Sequence, residues 1–208
     1  MTGFQKLAQY RLLPVIVIDD AAHAGPLADA LVAAGLPVAE ITLRTPAAEQ
    51  ALRVMARRPE ITLGAGTVLT VDLVKRAVDA GATYIVTPGF NPKVVEYCLA
   101  HQIPVTPGIS TCTEIEFALA AGAEVLKFFP AESIGGAKAL RAICAPYSQV
   151  KFIPTGGITE KTLGDYLSIP QVMAVGGSWM VSRDLLNAGR FDEITRLTRA
   201  AVQMSQKS

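Results

Sequence analysis

Short β-branched runs alternate along this chain with longer Ala-rich stretches whose apolar residues recur at helical spacing. The runs are Val15–Asp19, Val38–Leu43, Ile61–Gly66, Thr83–Thr87, Val105–Pro107, Val125–Phe129, Lys151–Thr155 and Val172–Gly176. They recur every 20 to 27 residues, roughly, the period of a strand followed by a crossover helix. Between them, Leu27–Ala34, Ala47–Arg57 and Val71–Ala80 read as amphipathic helices. Thr45-Pro46 and Asn91-Pro92 are expected to be N-caps followed by proline at the first helical position, and Thr111 with Glu114 matches a capping box. Gly35, Gly81 and Gly122 fall where left-handed helix ends are wanted.

Eight such units in 208 residues leave about 26 residues each, enough for a strand, a helix and two short loops. The expected architecture is α/β: a (β/α)8 TIM barrel forming a single domain over residues 1–208, with an N-terminal helix Phe4–Arg11 at its bottom. The competing doubly wound sheet favours a Gly-rich turn after the first strand, and this chain has Asp19-Asp20 there. Its glycine pairs follow the last two runs instead, at Gly156-Gly157 and Gly176-Gly177, where barrels commonly hold a phosphate. Helices are expected to begin near Glu160 and near Arg183, just beyond those pairs.

Polar residues interrupt the pattern at two places. In the second run, Ala39, Ile41 and Leu43 share one face, and Glu40, Thr42 and Arg44 share the other, which would point into the barrel. An internal Glu40–Arg44 ion pair is one reading and a reactive site the other, because unpaired charge in such a place costs several kcal/mol, roughly. Among the lysines, Lys6, Lys75, Lys93, Lys138, Lys161 and Lys207 fall on helices, loops or the tail, and Lys151 opens a strand at the end away from the catalytic face. Lys127 alone sits late in a strand and among apolar neighbours. Desolvation and a neighbouring guanidinium disfavour an ammonium ion there, while a nearby Glu40 favours it. A neutral lysine would be a nucleophile toward ketones; a charged one would be a snorkelling partner of Glu40. His23 and His101 fall on helices, away from the strand ends, and take no role. One glycine pair alone reads as a tight turn; two after consecutive late strands read as backbone cradles for an anion.

Composition narrows the partners. Nineteen basic and 18 acidic residues leave a net charge of +1, which gives no field for nucleic acid or an anionic membrane. The apolar run Leu12–Ile18 is too short to span a bilayer, and no secretion signal is read before it. Cys98, Cys112 and Cys144 lack metal or disulfide spacing and suit a reducing, cytoplasmic setting. Small molecules and other subunits are the expected partners.

Six motifs, taken in order, carry a resemblance: Glu40-Ile41-Thr42-Leu43-Arg44-Thr45, Gly64-Ala65-Gly66-Thr67-Val68-Leu69, Pro107-Gly108-Ile109-Ser110-Thr111, Lys127-Phe128-Phe129-Pro130-Ala131-Glu132, Pro154-Thr155-Gly156-Gly157-Ile158 and Gly176-Gly177-Ser178-Trp179. Over nearly its whole length the chain resembles bacterial 2-keto-3-deoxy-6-phosphogluconate aldolases, class I aldolases often also active on 4-hydroxy-2-oxoglutarate. The resemblance implies a homotrimeric barrel that cleaves the sugar acid to pyruvate and glyceraldehyde 3-phosphate, with no metal and no cofactor. It implies Lys127 as the Schiff-base lysine and Glu40 as the general acid/base. Arg44 and Thr67 would hold the substrate carboxylate with Pro88 beside them. Thr155 would influence which C4 stereoisomer is accepted, and Gly156, Gly157, Gly177 and Ser178 would receive the phosphate. The rival expectations are a barrel isomerase or epimerase that forms no covalent adduct, and a non-catalytic sugar-phosphate sensor.

Overall fold

The computed structural model describes residues 3–206; Lys207, expected in a solvated tail, lies outside them. The chain opens with α1 (Gly3–Tyr10), β1 (Leu12–Ile16), α2 (Ala24–Ala33), β2 (Val38–Thr42), α3 (Ala48–Met55), β3 (Thr62–Gly66), α4 (Val71–Asp79), β4 (Tyr84–Val86) and α5 (Pro92–Ala100). It continues with β5 (Val105–Thr106), β6 (Gly108–Ile109), α6 (Cys112–Ala120), β7 (Val125–Phe128), α7 (Gly136–Cys144), β8 (Lys151–Phe152), α8 (Leu163–Leu167), β9 (Val175–Gly177), α9 (Arg183–Asn187) and α10 (Phe191–Ser205). Strand and helix alternate as expected, and every strand pairing is parallel.

Six strands form one sheet in the order β5-β4-β3-β2-β1-β9, and three form another, β6-β7-β8. Only Pro107 separates β5 from β6, so one extended run pairs with β4 at its start and with β7 at its end. Single parallel bridges, Phe152↔Val172 and Thr155↔Gly176, connect the β8 segment with the run that leads into β9. These strands are buried on both faces, which is why they read as near-continuous apolar runs.

The boundaries shift where a partner strand decides them. The first strand starts at Leu12, earlier than the expected Val15, because Leu12, Leu13 and Pro14 pair with Val175, Gly176 and Gly177 of β9. Pro14 argues locally for a later start, but it sits inside the ladder. The expected strand Lys151–Thr155 is regular only over Lys151–Phe152, although the Ile153 and Thr155 amides still donate to the Leu126 and Phe128 carbonyls of β7 and Pro154 has no N–H to give on its other side. The second glycine pair is not a loop after the last strand: Gly176 and Gly177 lie within β9.

Helix ends follow local chemistry more closely. Asn91 caps α5 with Pro92 behind it, and Thr111 and Glu114 form the reciprocal capping box of α6. Gly35, Gly81 and Gly122 adopt left-handed φ after α2, α4 and α6. Thr45 is not a cap: α3 begins only at Ala48, and the Thr45 hydroxyl donates instead to the Ile18 carbonyl, joining the ends of β2 and β1. No helix begins near Glu160 either. The Thr159 amide donates to the Thr162 hydroxyl in a turn, and α8 starts at Leu163. The N-terminal helix ends at Tyr10 because Arg11 turns left-handed, with φ 57°. No helix among the described residues is long and apolar enough to cross a membrane.

Candidate active site

Residues in parallel register share a face, so the pairings Val15↔Glu40, Glu40↔Gly64 and Gly64↔Tyr84 set four side-chain positions of β1 to β4 in one row. Two glycines of β3, one in that row and one two residues on, work by what they lack. A Cβ at Gly64 would fall 2.1 Å from the Tyr84 ring, and one at Gly66 would fall 2.0 Å from Glu40 Oε1. The ring and the carboxylate therefore occupy volume left free by two missing side chains. Tyr84 is fully buried, and its hydroxyl donates to the Ala39 carbonyl at 2.9 Å. Burial, and then the charge of Glu40, push its ionisation well above the ordinary phenol value, which keeps it a donor.

Glu40 is 0% exposed and Lys127 3% exposed. Lys127 reaches Glu40 from the other sheet, with Nζ 3.4 Å from Oε1. The internal pair is thus Glu40–Lys127, whereas Arg44 extends outward and donates from Nε to the Thr67 hydroxyl at 3.1 Å. Lys127 Nζ also lies 5.2 Å from the Phe129 ring centroid, within range of a cation–π contact. The second carboxylate oxygen, Glu40 Oε2, is buried without a hydrogen-bond partner among the described residues. An unsatisfied buried acceptor of that kind costs about 1–3 kcal/mol or more, and it leaves a base with capacity to spare.

Above this pair opens a cleft of about 160 Å³, lined by Val15, Val17, Arg44, Phe129, the Thr155–Ile158 segment and the Gly176–Ser178 segment. It brings Arg44, Thr155, Gly156, Gly157, Gly177 and Ser178 to one opening. Gly156 and Gly157 both have left-handed φ, 105° and 80°, a conformation other residues adopt only with strain. Thr67 has φ 57°, held beside β3 while its hydroxyl meets Arg44; a β-branched residue there costs about 1–3 kcal/mol. Pro88 stands apart from this cleft. It lines a shallow depression with Val68, Leu69 and Phe90, and its carbonyl packs where a Gly108 side chain would be.

A larger cavity of about 320 Å³ lies between α3 and α4, but its charged groups pair with one another. Glu49 accepts from both Arg53 and Arg76, and those bonds hold its carboxyl below the ordinary value. Cys98 and Cys144 are buried thiols pushed up to about 11, so neither is a ready nucleophile at neutral pH. His23 sits in a short 3-10 turn and His101 at the end of α5. Among the described residues no three His, Cys, Asp or Glu side chains gather as a metal site.

A buried lysine against a carboxylate, near a glycine-lined cleft at the ends of parallel strands, is the arrangement that a Schiff-base-type lyase would use. Residues 4–197 match the family described as "Aldolase: KDPG and KHG aldolase", and the chain belongs to that family. It is 44% identical over 205 residues to the 2-dehydro-3-deoxy-phosphogluconate aldolase of Treponema pallidum, covering 98% of each chain. It is 46% identical over 193 residues to the KHG/KDPG aldolase of Escherichia coli K12, covering 92% of this chain and 91% of that one. The KDPG aldolase of Legionella pneumophila, solved with pyruvate captured as a covalent carbinolamine, superposes with a TM-score of 0.93 at 39% identity, over 97% of this chain and 98% of that one.

Proposed function

We propose that this chain is a metal-independent class I aldolase that cleaves 2-keto-3-deoxy-6-phosphogluconate to pyruvate and glyceraldehyde 3-phosphate. The same chemistry would split 4-hydroxy-2-oxoglutarate to pyruvate and glyoxylate. The observation that carries the reading is the buried Lys127 amine 3.4 Å from a carboxylate whose other oxygen has no hydrogen-bond partner among the described residues.

The Lys127 amine adds to the C2 ketone, and the carbinolamine loses water to an iminium, with Glu40 moving the protons. The iminium is an electron sink for the C3–C4 bond. Glu40 takes the C4 hydroxyl proton, the bond breaks, and the aldehyde departs while the electron pair rests in an enamine. Protonation at C3 and addition of water at C2 then release pyruvate and restore the amine. The Phe129 ring, 5.2 Å from the amine, would shield it on one side.

Arg44 and Thr67 are assigned to the substrate carboxylate, a role supported by their mutual hydrogen bond at the rim. Pro88 is kept as a wall beside Thr67. Thr155 is assigned to the C4 substituents, and the backbone of Gly156, Gly157 and Gly177 with Ser178 to the phosphate, supported by their common cleft. Remote binding of the phosphate lends energy to positioning C2 over the amine.

The finer architecture proposed is a closed (β/α)8 barrel in a single domain over residues 1–208, supported by the β5–β6 run that joins the two sheets and by the Thr155↔Gly176 bridge. A homotrimer in the cytoplasm is proposed from the family. Exposed apolar side chains, Leu69 at 51% and Phe117 at 58%, supply surface suited to subunit contact.

Trapping tests the chemistry. Incubation with pyruvate and borohydride is expected to add a reduced three-carbon adduct, mapped by peptide mass spectrometry to Lys127. An adduct on Lys151, which is exposed at the start of β8, refutes the assignment. An unchanged mass favours the isomerase-type rival.

A further inference from the structure

We propose that Tyr166 and Glu132 are positioning residues for the phosphate end of the site, acting through the Gly156-Gly157 loop. The inference rests on the phosphate assignment made above and names two residues that touch no substrate.

Glu132 begins the short 3-10 turn Glu132–Ile134 beyond β7, two loops away in sequence from the glycines it meets. Its amide donates to the Gly156 carbonyl at 3.0 Å, next to the bond from the Ala131 amide to the Thr155 carbonyl at 2.9 Å. Its Cβ lies 2.8 Å from where a Cβ on Gly157 would be. The loop after β8 is thus laid directly on this residue. Where Glu132 goes, the amides that face the cleft follow.

The side chain of Glu132 is tied down in turn. The Tyr166 hydroxyl, on α8, donates to Glu132 Oε1 at 2.6 Å. Tyr166 is 0% exposed, so the donor is held by packing and has a single orientation to offer. Burial first, and then this carboxylate, push its ionisation up, so the bond persists through the physiological range. Glu132 itself is exposed. Loss of the hydroxyl therefore frees the carboxylate to swing into water, and does not strand a buried charge. The consequence falls on the order of the loop, hence on phosphate affinity, and not on the amine chemistry.

The test compares steady-state kinetics on the phosphorylated sugar acid with those on 4-hydroxy-2-oxoglutarate, which has no phosphate. Y166F and E132A are expected to raise KM for the phosphorylated substrate by roughly three- to tenfold, the net worth of an ordinary hydrogen bond, since the loop is loosened and no contact to the phosphate itself is lost. The kcat values and the KM for the smaller substrate are expected to stay within about twofold, since neither residue touches the reacting atoms. Inhibition of the smaller substrate's turnover by inorganic phosphate should weaken in parallel. E132Q, whose amide oxygen still accepts from the tyrosine, should remain near the parent protein. Should Y166F fail to fold, E132A breaks the same bond from the surface side. Equal KM changes for both substrates, or unchanged KM in variants with native circular dichroism, overturn the proposal. A parent protein that turns over both substrates with the same KM overturns the phosphate assignment itself, and this inference with it.

Discussion

The buried pair and the cleft beside it are built on opposite principles. In the interior, Glu40 and Lys127 are sealed from solvent and held by packing, the carboxylate fitted over Gly66 and the amine beside Phe129, which also lines the cleft. At the top, Arg44, Gly157 and Ser178 are exposed, and the groups offered are a guanidinium, loop amides and a hydroxyl. The difference follows from what each end must handle. A covalent step needs an amine and a base at fixed distance in a dry place, where a misplacement near 1 Å costs about a hundredfold. A phosphate arrives with its own charge and needs only converging donors that remain open to solvent. On the proposed assignments, reaction would be anchored by side chains in the interior, and affinity gathered by exposed donors at the rim.

The sharpest way to break this division is at Glu40. E40Q is expected to lower turnover by about 10²- to 10⁴-fold, the usual contribution of a positioned acid/base. Trapping of pyruvate under long incubation should survive, because the Lys127 amine remains. Equal and small effects on both would remove Glu40 from the mechanism. At the other end, S178D is expected to raise KM for the phosphorylated substrate on the order of 10- to 100-fold through like-charge repulsion. The KM for 4-hydroxy-2-oxoglutarate should move far less, and a parallel rise in both would dissolve the boundary between the two ends.

The smallest effect concerns what keeps the interior end rigid. Glu114 Oε2 accepts from the amides and hydroxyls of Ser110 and Thr111 at 2.7 to 3.0 Å, just past β6, whose Gly108 pairs with Lys127. Burial raises the carboxyl and those bonds outweigh it, leaving its ionisation below the ordinary 4.5. A group depressed on folding contributes stability above its unfolded value and loses it as pH falls through the folded one. E114Q is expected to lose about 1 kcal/mol, typical of a helix cap. The gap in Tm between the two proteins, followed by thermal melts, should close as the pH drops below 4.5; a gap that widens would reverse the sign.

Much of the interior end was legible because charge in an apolar strand is rare. Glu40 and Lys127 stand out by alternation and by elimination, with no knowledge of the partner. Pairing of Glu40 with Arg44 and pairing with Lys127 were both open from the sequence, and the choice between them is made by a contact across two sheets and 87 residues. The glycines of Gly64-Ala65-Gly66 are visible as a motif, yet their reason lies in Tyr84 and Glu40 on neighbouring strands. Phe129 reads as one more apolar residue, and nothing nearby in sequence marks its position over an amine. Thr67 gives no sign of its left-handed backbone. Helix caps such as Thr111 with Glu114 are local chemistry and were readable. The start of β1 is decided by β9 at the far end of the chain and was not.

The absence of a side chain at Gly66 carries a lesson for redesign. The Glu40 carboxylate sits in a recess hollowed from the neighbouring strand, so even one methyl added at Gly66 displaces it, which on the proposed mechanism would remove the proton carrier before altering which aldehyde is accepted. Attempts to broaden substrate scope are better aimed at the solvent-facing lip, where Ser178 is exposed, than at Thr155, which is buried against the missing side chain of Gly176.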